Sequence, residues 1–163
     1  MVGLLHAVPF PVPLRYGRQR RTLVVSVGEF SRAGELEGGA FERLCLQHVP
    51  QIKDALGISG VLTNVYSWYH AADDVYPTGA QIDLLLDRAD NVINLCEMKY
   101  SSGPFAIDKA MDADLAAKVE TFRAVSKTQK AIHLTFVTSR GLARNSYWND
   151  VQSEVTLDDL FRE

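Results

Sequence analysis

The sequence predicts an α/β domain with a mixed central sheet flanked by helices, and three features predict it. Residues 79–99 read as a β-hairpin, with apolar runs on both sides of a short polar turn. Helical periodicity brackets that hairpin, in residues 39–56 before it and 106–125 after it. Ala131 to Thr138 is a continuous apolar, β-branched run, which suits a strand buried on both faces.

The elements follow in order. Phe41, Leu44, Cys45, His48, Ile52 and Leu56 recur at helical spacing and form one apolar stripe from about Gly39 to Leu56. Pro50 predicts a kink or break within it, because proline lacks the amide proton that an interior turn needs. Gly57 and Gly60 bracket its end. Val61 to Tyr69 alternates and is rich in β-formers, so it is the first core strand, and residues 71–78 are a polar loop. After the hairpin, Ser101 to Pro104 breaks the chain. Ile107, Ala110, Met111, Leu115, Val119 and Phe122 mark the second helix, and Ala131 to Thr138 the last strand. Thr156 caps a short closing helix, with Asp159 in the capping-box position. The order is α, β, β, β, α, β, and the final crossover predicts two parallel strands.

Residues 1–34 differ from the rest and are read as an extension to a domain spanning 35–163. Residues 1–14 are apolar but broken by Pro9, Pro11 and Pro13, and they lack the charged start and small-residue cleavage site of a signal peptide. Arg15, Arg18, Arg20 and Arg21 could touch phosphate or form a solvated tail. Residues 23–27 suit an edge strand and residues 31–39 a linker. A net charge of −3 argues against a strongly basic nucleic-acid binder, although bound divalent ions and a local basic patch can offset acids. The two cysteines, Cys45 and Cys96, fall in core elements and suit reduced thiols in a cytoplasm. No apolar run approaches the roughly 18 residues of a membrane span.

The hairpin carries the chemistry. Asp83 lies on its first strand, and Glu97 and Lys99 on its second. Charged groups among apolar strand residues need partners or a metal. Glu97 and Lys99 share a face by strand alternation. A loop of Ala89, Asp90 and Asn91 places Asp83 opposite Glu97, about 4.5–5.5 Å apart at Cβ, whereas a two-residue loop puts the acids on opposite faces. Asp90 and Asn91 tolerate left-handed backbone angles, which favours the longer loop. Paired carboxylates of this kind suit Mg²⁺ or Mn²⁺, with Lys99 beside the ion to orient or deprotonate a water. The competing reading is a buried ion-pair network kept for structure.

Asp83, thirteen intervening residues, and Glu97-Met98-Lys99 resemble the PD-(D/E)xK signature of restriction-endonuclease-like folds. Ile82 stands where the signature has proline. The stretch from Ala40 to Phe161 is similar, more narrowly, to the nuclease-like domain that follows the ATPase module in a family of prokaryotic AAA-type ATP-binding proteins. The similarity rests on residues 40–53, 79–88, 96–101, 134–138 and 152–161. It implies a restriction-endonuclease-like αβββαβ core and metal-dependent hydrolysis of DNA. Asp83, Glu97 and the Met98 carbonyl would hold the metal. Glu42 on the first helix would bind it through water or contact a second ion; otherwise it is an exposed helix glutamate. The resemblance also implies an ATPase partner or an upstream ATPase module. No G-x-x-x-x-G-K-[ST] occurs, which suggests a truncated or stand-alone member. Related nucleases often cut as dimers, so a homodimer is a further expectation. The competing functions are a catalytically inactive accessory domain and a nucleic-acid-binding module.

Around this centre, Gln81 shares the face of Asp83 and could bond a phosphate or water. Asp87 shares that face too but is read as solvated near the hairpin end. Tyr100 and Ser101 could border the cleft. Lys109 and Lys118, nine apart on the second helix, are expected on one face, reaching a phosphate backbone or pointing to solvent. His48 is expected to pack within its helix, and Trp68, Tyr69 and His70 to serve packing or a strand end.

Overall fold

A computed structural model describes Val8–Pro9 and residues 34–77 and 79–162 of the chain. The four arginines and the strand expected at residues 23–27 lie outside the described residues. A six-stranded sheet runs in the order β1 (Val8–Pro9), β2 (Thr63–His70), β3 (Ala80–Arg88), β4 (Val92–Lys99), β5 (Ala131–Thr138) and β6 (Ser153–Thr156). The first four strands pair antiparallel, and β5 and β6 continue the sheet in parallel. The α/β class and the mixed sheet are those the sequence predicts.

Helices cover both faces. The stripe at 39–56 is two helices, α1 (Gly34–Gln47) and α2 (Val49–Ala55), and Pro50 sits in the first turn of α2, where its missing amide proton costs nothing. Residues 34–39, expected as linker, are the first turns of α1. Phe41, Cys45 and Ile52 pack onto Leu84, Leu86, Cys96, Met98 and Val137, forming one core. On the other face lies α3 (Lys109–Ser126), capped by the Asp108 carboxylate, which accepts from the Met111 amide at 2.8 Å. Leu115 and Phe122 of α3 pack with Trp68, Ile82, Leu85, Ile93, Leu95 and Phe136 in a second core. The indole of Trp68 meets Phe122 edge-on at 5.2 Å. His48, expected within one helix, is the junction between α1 and α2, and its Nδ1 lies 2.8 Å from the Leu44 carbonyl oxygen of α1.

The hairpin turn is the three-residue one. Arg88 and Val92 flank Ala89, Asp90 and Asn91, and Asn91 adopts φ 65°. The closing helix is a 3-10 turn, Leu157–Phe161, where the Asp159 carboxylate accepts from both the amide and the hydroxyl of Thr156, at 2.8 and 2.7 Å. Three elements have no counterpart in the sequence reading: the 3-10 turn Ser146–Asp150, β6, and β1, where Val8 and Pro9 pair with Ser67 and Tyr66. Among the described residues, no helix is long and apolar enough to cross a membrane.

Both cysteines are free and buried, one in each of two facing elements of the first core. Burial, with the Glu42 charge adding, pushes the Cys45 thiol up to about 12, and burial raises Cys96 as well. Thiolate is the reactive species. Both thiols are therefore expected to resist a disulfide-exchange reagent at pH 8 in the native protein and to react fully in denaturant. Rapid native titration of either would contradict this burial.

Candidate functional site

The site lies where the sheet forks. Strands β3 and β4 pair from Asp87–Ile93 to Leu84–Cys96, and the ladder ends there. Beyond that point the outer part of β3 stays with β2, through Trp68–Ile82 to His70–Ala80. The outer part of β4 stays with β5, through Glu97–Phe136 to Lys99–Thr138. Asp83 and Glu97 are the next residues in register, one on each prong.

A β-bulge shapes the first prong. Tyr66 pairs with Leu85 and Trp68 with Ile82, so Asp83 and Leu84 together oppose the single residue Ser67. Such an extra residue bends its strand and re-aims side chains. Leu84 packs in the α1 core, whereas Ile82 and Leu85 pack in the α3 core. Asp83, next to Ile82, therefore turns to the α1 side, where the Gln81 amide donates to its Oδ1 at 2.8 Å. Glu97 lies between Cys96 and Met98, both in the α1 core, and turns to the α3 side. The expectation that one pleat face carries both acids is thus corrected: the register is as expected, but the bulge reverses Asp83. The same bulge separates Asp83 from Asp87. Asp87 is not solvated but bonded to Lys130 Nζ at 2.5 Å.

Glu97 is the most buried charge in the fork, at 5% exposure. Its two oxygens meet two ammonium groups: Lys99 Nζ at 2.8 Å from Oε1 and Lys118 Nζ at 3.2 Å from Oε2. Lys118 also lies 3.3 Å from Asp114, one helical turn back on α3. Burial alone would lower the Lys118 pKa, but the Glu97 and Asp114 carboxylates outweigh it and hold the ammonium above its ordinary value. Lys109 is exposed and takes no part in this cluster. Nine residues are two and a half turns of a helix, so the two lysines stand on opposite sides rather than sharing a face. Met98 buries its side chain in the core, which leaves its backbone carbonyl for any metal contact.

Glu42 joins from α1. Partial burial and the Asp83 carboxylate raise its pKa above 4.5, Lys99 opposes that shift, and Glu97 adds to it. One carboxyl thus feels both acids and the lysine, which ties the two prongs and α1 into one electrostatic cluster. Tyr100 packs near Phe41, with ring centroids 6.0 Å apart. Ser101 donates its hydroxyl to the Gly103 carbonyl at 2.6 Å and its amide to Ser139 Oγ at 2.8 Å.

Among the described residues, no three His, Cys, Asp or Glu side chains are gathered tightly enough to hold a metal ion. Ammonium groups lie on both oxygens of Glu97, and an amide lies on Asp83. The acids offer only oxygen donors, but as placed they do not form a metal site, since both oxygens of Glu97 are paired and Asp83 turns to the other face. Burial first, and the Asp83 charge second, raise the Glu42 carboxyl. A raised carboxyl favours the folded state only while protonated. That contribution is present below pH 4.5 and is lost as pH rises through the higher folded value. Glu42→Gln is therefore expected to leave neutral-pH stability unchanged or raise it by less than about 0.5 kcal/mol. It should also flatten the pH dependence of urea unfolding above pH 4.5, and a clear loss of stability would contradict the raised carboxyl. No protein-family model, no curated protein and no solved structure matches the chain.

Proposed function

We propose that the chain carries a PD-(D/E)xK nuclease-like domain, with a restriction-endonuclease-like αβββαβ core, that hydrolyses DNA phosphodiester bonds with Mg²⁺ or Mn²⁺. The observation that carries this reading is the fork, with Asp83 on one prong, Glu97 and Lys99 on the other, and Glu42 in electrostatic contact with all three. The succession α1, β2, β3, β4, α3, β5 within the chain supports this reading, being the αβββαβ order expected of such a core.

The groups that would hold the cation are Asp83, Glu97, the Met98 carbonyl and, directly or through water, Glu42. When bound, a divalent cation polarises a phosphoryl oxygen and lowers the pKa of a water. Lys99 is 35% exposed at its side chain, so its ammonium can leave Glu97, orient the attacking water and stabilise charge that develops on the phosphate. A lysine suits this position because it is a compact, mobile charge. Gln81, Tyr100, Ser101 and Lys109 are the candidates for substrate contact. The buried free thiols suit a cytoplasmic setting. An ATPase partner and a homodimer belong to the same proposal.

A second reading is favoured by one observation, the saturation of Glu97 by two ammonium groups. In it the fork is a structural ion cluster of an inactive accessory or nucleic-acid-binding domain. Incubation of the protein with supercoiled plasmid across a Mg²⁺ and Mn²⁺ titration separates the two. The nuclease reading expects metal-dependent nicking or linearisation that disappears in Asp83→Ala. Retarded but uncut DNA, even with Mn²⁺, indicates a binding module. Neither cutting nor binding, alongside capture by an ATPase, indicates the accessory domain.

A further inference from the structure

A partly open cavity of about 270 Å³ lies on the α3 side of the sheet, at the turn end of the hairpin. Its lining residue Asp87 stands on β3 beyond Asp83, roughly 13 Å along the strand at about 3.3 Å per residue. Tyr66, Trp68, Ile93 and Phe122 give the cavity an apolar floor and wall. An apolar cavity of about 150 Å³ admits benzene, so this one has room for a fused pair of rings. Burial and the Asp87 charge raise the pKa of Tyr66, which keeps its phenol neutral.

Asp87, Thr128 and Lys130 supply polar groups beside that floor. Lys130 Nζ donates to Asp87 Oδ1 at 2.5 Å and to the Arg88 carbonyl oxygen at 2.7 Å. An ammonium has three donors, so one remains, and Asp87 keeps its Oδ2. The Thr128 hydroxyl accepts from the Lys130 amide at 3.2 Å and retains its own proton to donate. Ser126 is spent on the Phe122 carbonyl at 2.6 Å. A carboxylate oxygen, an ammonium and a hydroxyl thus adjoin an aromatic floor, and no existing bond has to break for a ligand to use them. An anionic ligand would meet repulsion from Asp87, and a purely apolar ring would desolvate charged groups without pairing them. A ring with a donor next to an acceptor satisfies both.

We propose that this cavity binds a purine whose edge carries an N–H beside a C=O, as in guanine or hypoxanthine. The ring packs against Tyr66, Trp68 and Phe122, its N–H donates to Asp87 Oδ2, and its carbonyl accepts from Lys130 Nζ. None of these residues belongs to the fork, so the metal reading and the purine site stand or fall separately.

Titration of the full chain with inosine, followed by ¹H–¹⁵N NMR, tests this. Saturating shifts are expected at the Tyr66 and Thr128 amides and the Trp68 indole, with a Kd of roughly 0.1–1 mM for a ligand of this size. 1-Methylinosine lacks the N–H and is expected to bind at least about tenfold more weakly to the unaltered protein. Thr128→Trp puts a bulky ring into the lining and is expected to weaken inosine at least about tenfold, with a thermal melt to confirm folding. A trinucleotide with a central deoxyinosine identifies the source: tighter binding than inosine assigns the ring to a single strand, weaker binding to a free nucleoside, and both support the site. Absence of saturating shifts by about 10 mM inosine, equal binding of 1-methylinosine, or undiminished binding by folded Thr128→Trp overturns the proposal.

Discussion

Glu97→Ala is expected to lower stability by about 2 kcal/mol, corresponding to a fall in Tm of roughly 4–8 °C for a chain of this size. Removing one partner of a fully buried ion pair costs more, about 3–5 kcal/mol, because the other charge is stranded. Here the stranded groups have an escape. The Lys99 and Lys118 side chains are 35% and 19% exposed, and Lys118 keeps Asp114. The cost is therefore discounted, but it stays well above that of an ordinary surface pair, because the Glu97 side chain is only 7% exposed and α3 is tied to β4 through it. The raised pKa of Lys118 supplies a second signature. A lysine whose folded pKa lies above its unfolded 10.5 contributes stability below pH 10.5, and that contribution fades as pH rises through the folded value. Glu97→Ala should weaken this alkaline loss, which urea unfolding at pH 8 and pH 11 would reveal. A Tm within a degree of the parent at both pH values would mean that the cluster contributes nothing.

Lys99→Met is expected to reduce metal-dependent plasmid cleavage by about 10²–10³-fold, the usual effect of removing one group that stabilises transition-state charge. Its effect on stability should be under about 1 kcal/mol, since the ammonium is partly exposed and Lys118 still pairs with Glu97. The two variants therefore dissociate fold from chemistry. Glu97→Ala damages both, whereas Lys99→Met damages chemistry alone. Initial rates of supercoiled-plasmid loss in Mg²⁺, set beside thermal melts of the same preparations, read out both. Cleavage by Lys99→Met at the parental rate would remove Lys99 from the proposed role.

The chain made some of this legible and hid the rest for identifiable reasons. The hairpin register was readable because Asp90 and Asn91 are turn residues that accept left-handed angles, and Asn91 does so at φ 65°. The range of β5 was readable because a buried parallel strand is a continuous apolar run. The Thr156–Asp159 capping box was readable because its residues are three apart. The bulge at Asp83 and Leu84 was not, because it is defined against Ser67 on a different strand. The bulge decides which way Asp83 points, so strand alternation counted from Glu97 misplaced it. Lys118 was visible as a helix lysine, but a count of nine residues to Lys109 obscured that it stands three past the buried Leu115, near the sheet. Asp87 looked solvated because its partner Lys130 lies 43 residues away. The N-terminal turns of α1 were hidden by their glycines, which have low helix propensity in isolation.

Capture of a divalent cation by the fork is tested most directly by diffraction from a crystal soaked in Mn²⁺. The expected result is an anomalous peak within the fork, on the carboxylates of Asp83 and Glu97, with at least one ammonium displaced from Glu97. A data set with no such peak, and with both ammonium groups still seated on Glu97, would contradict it.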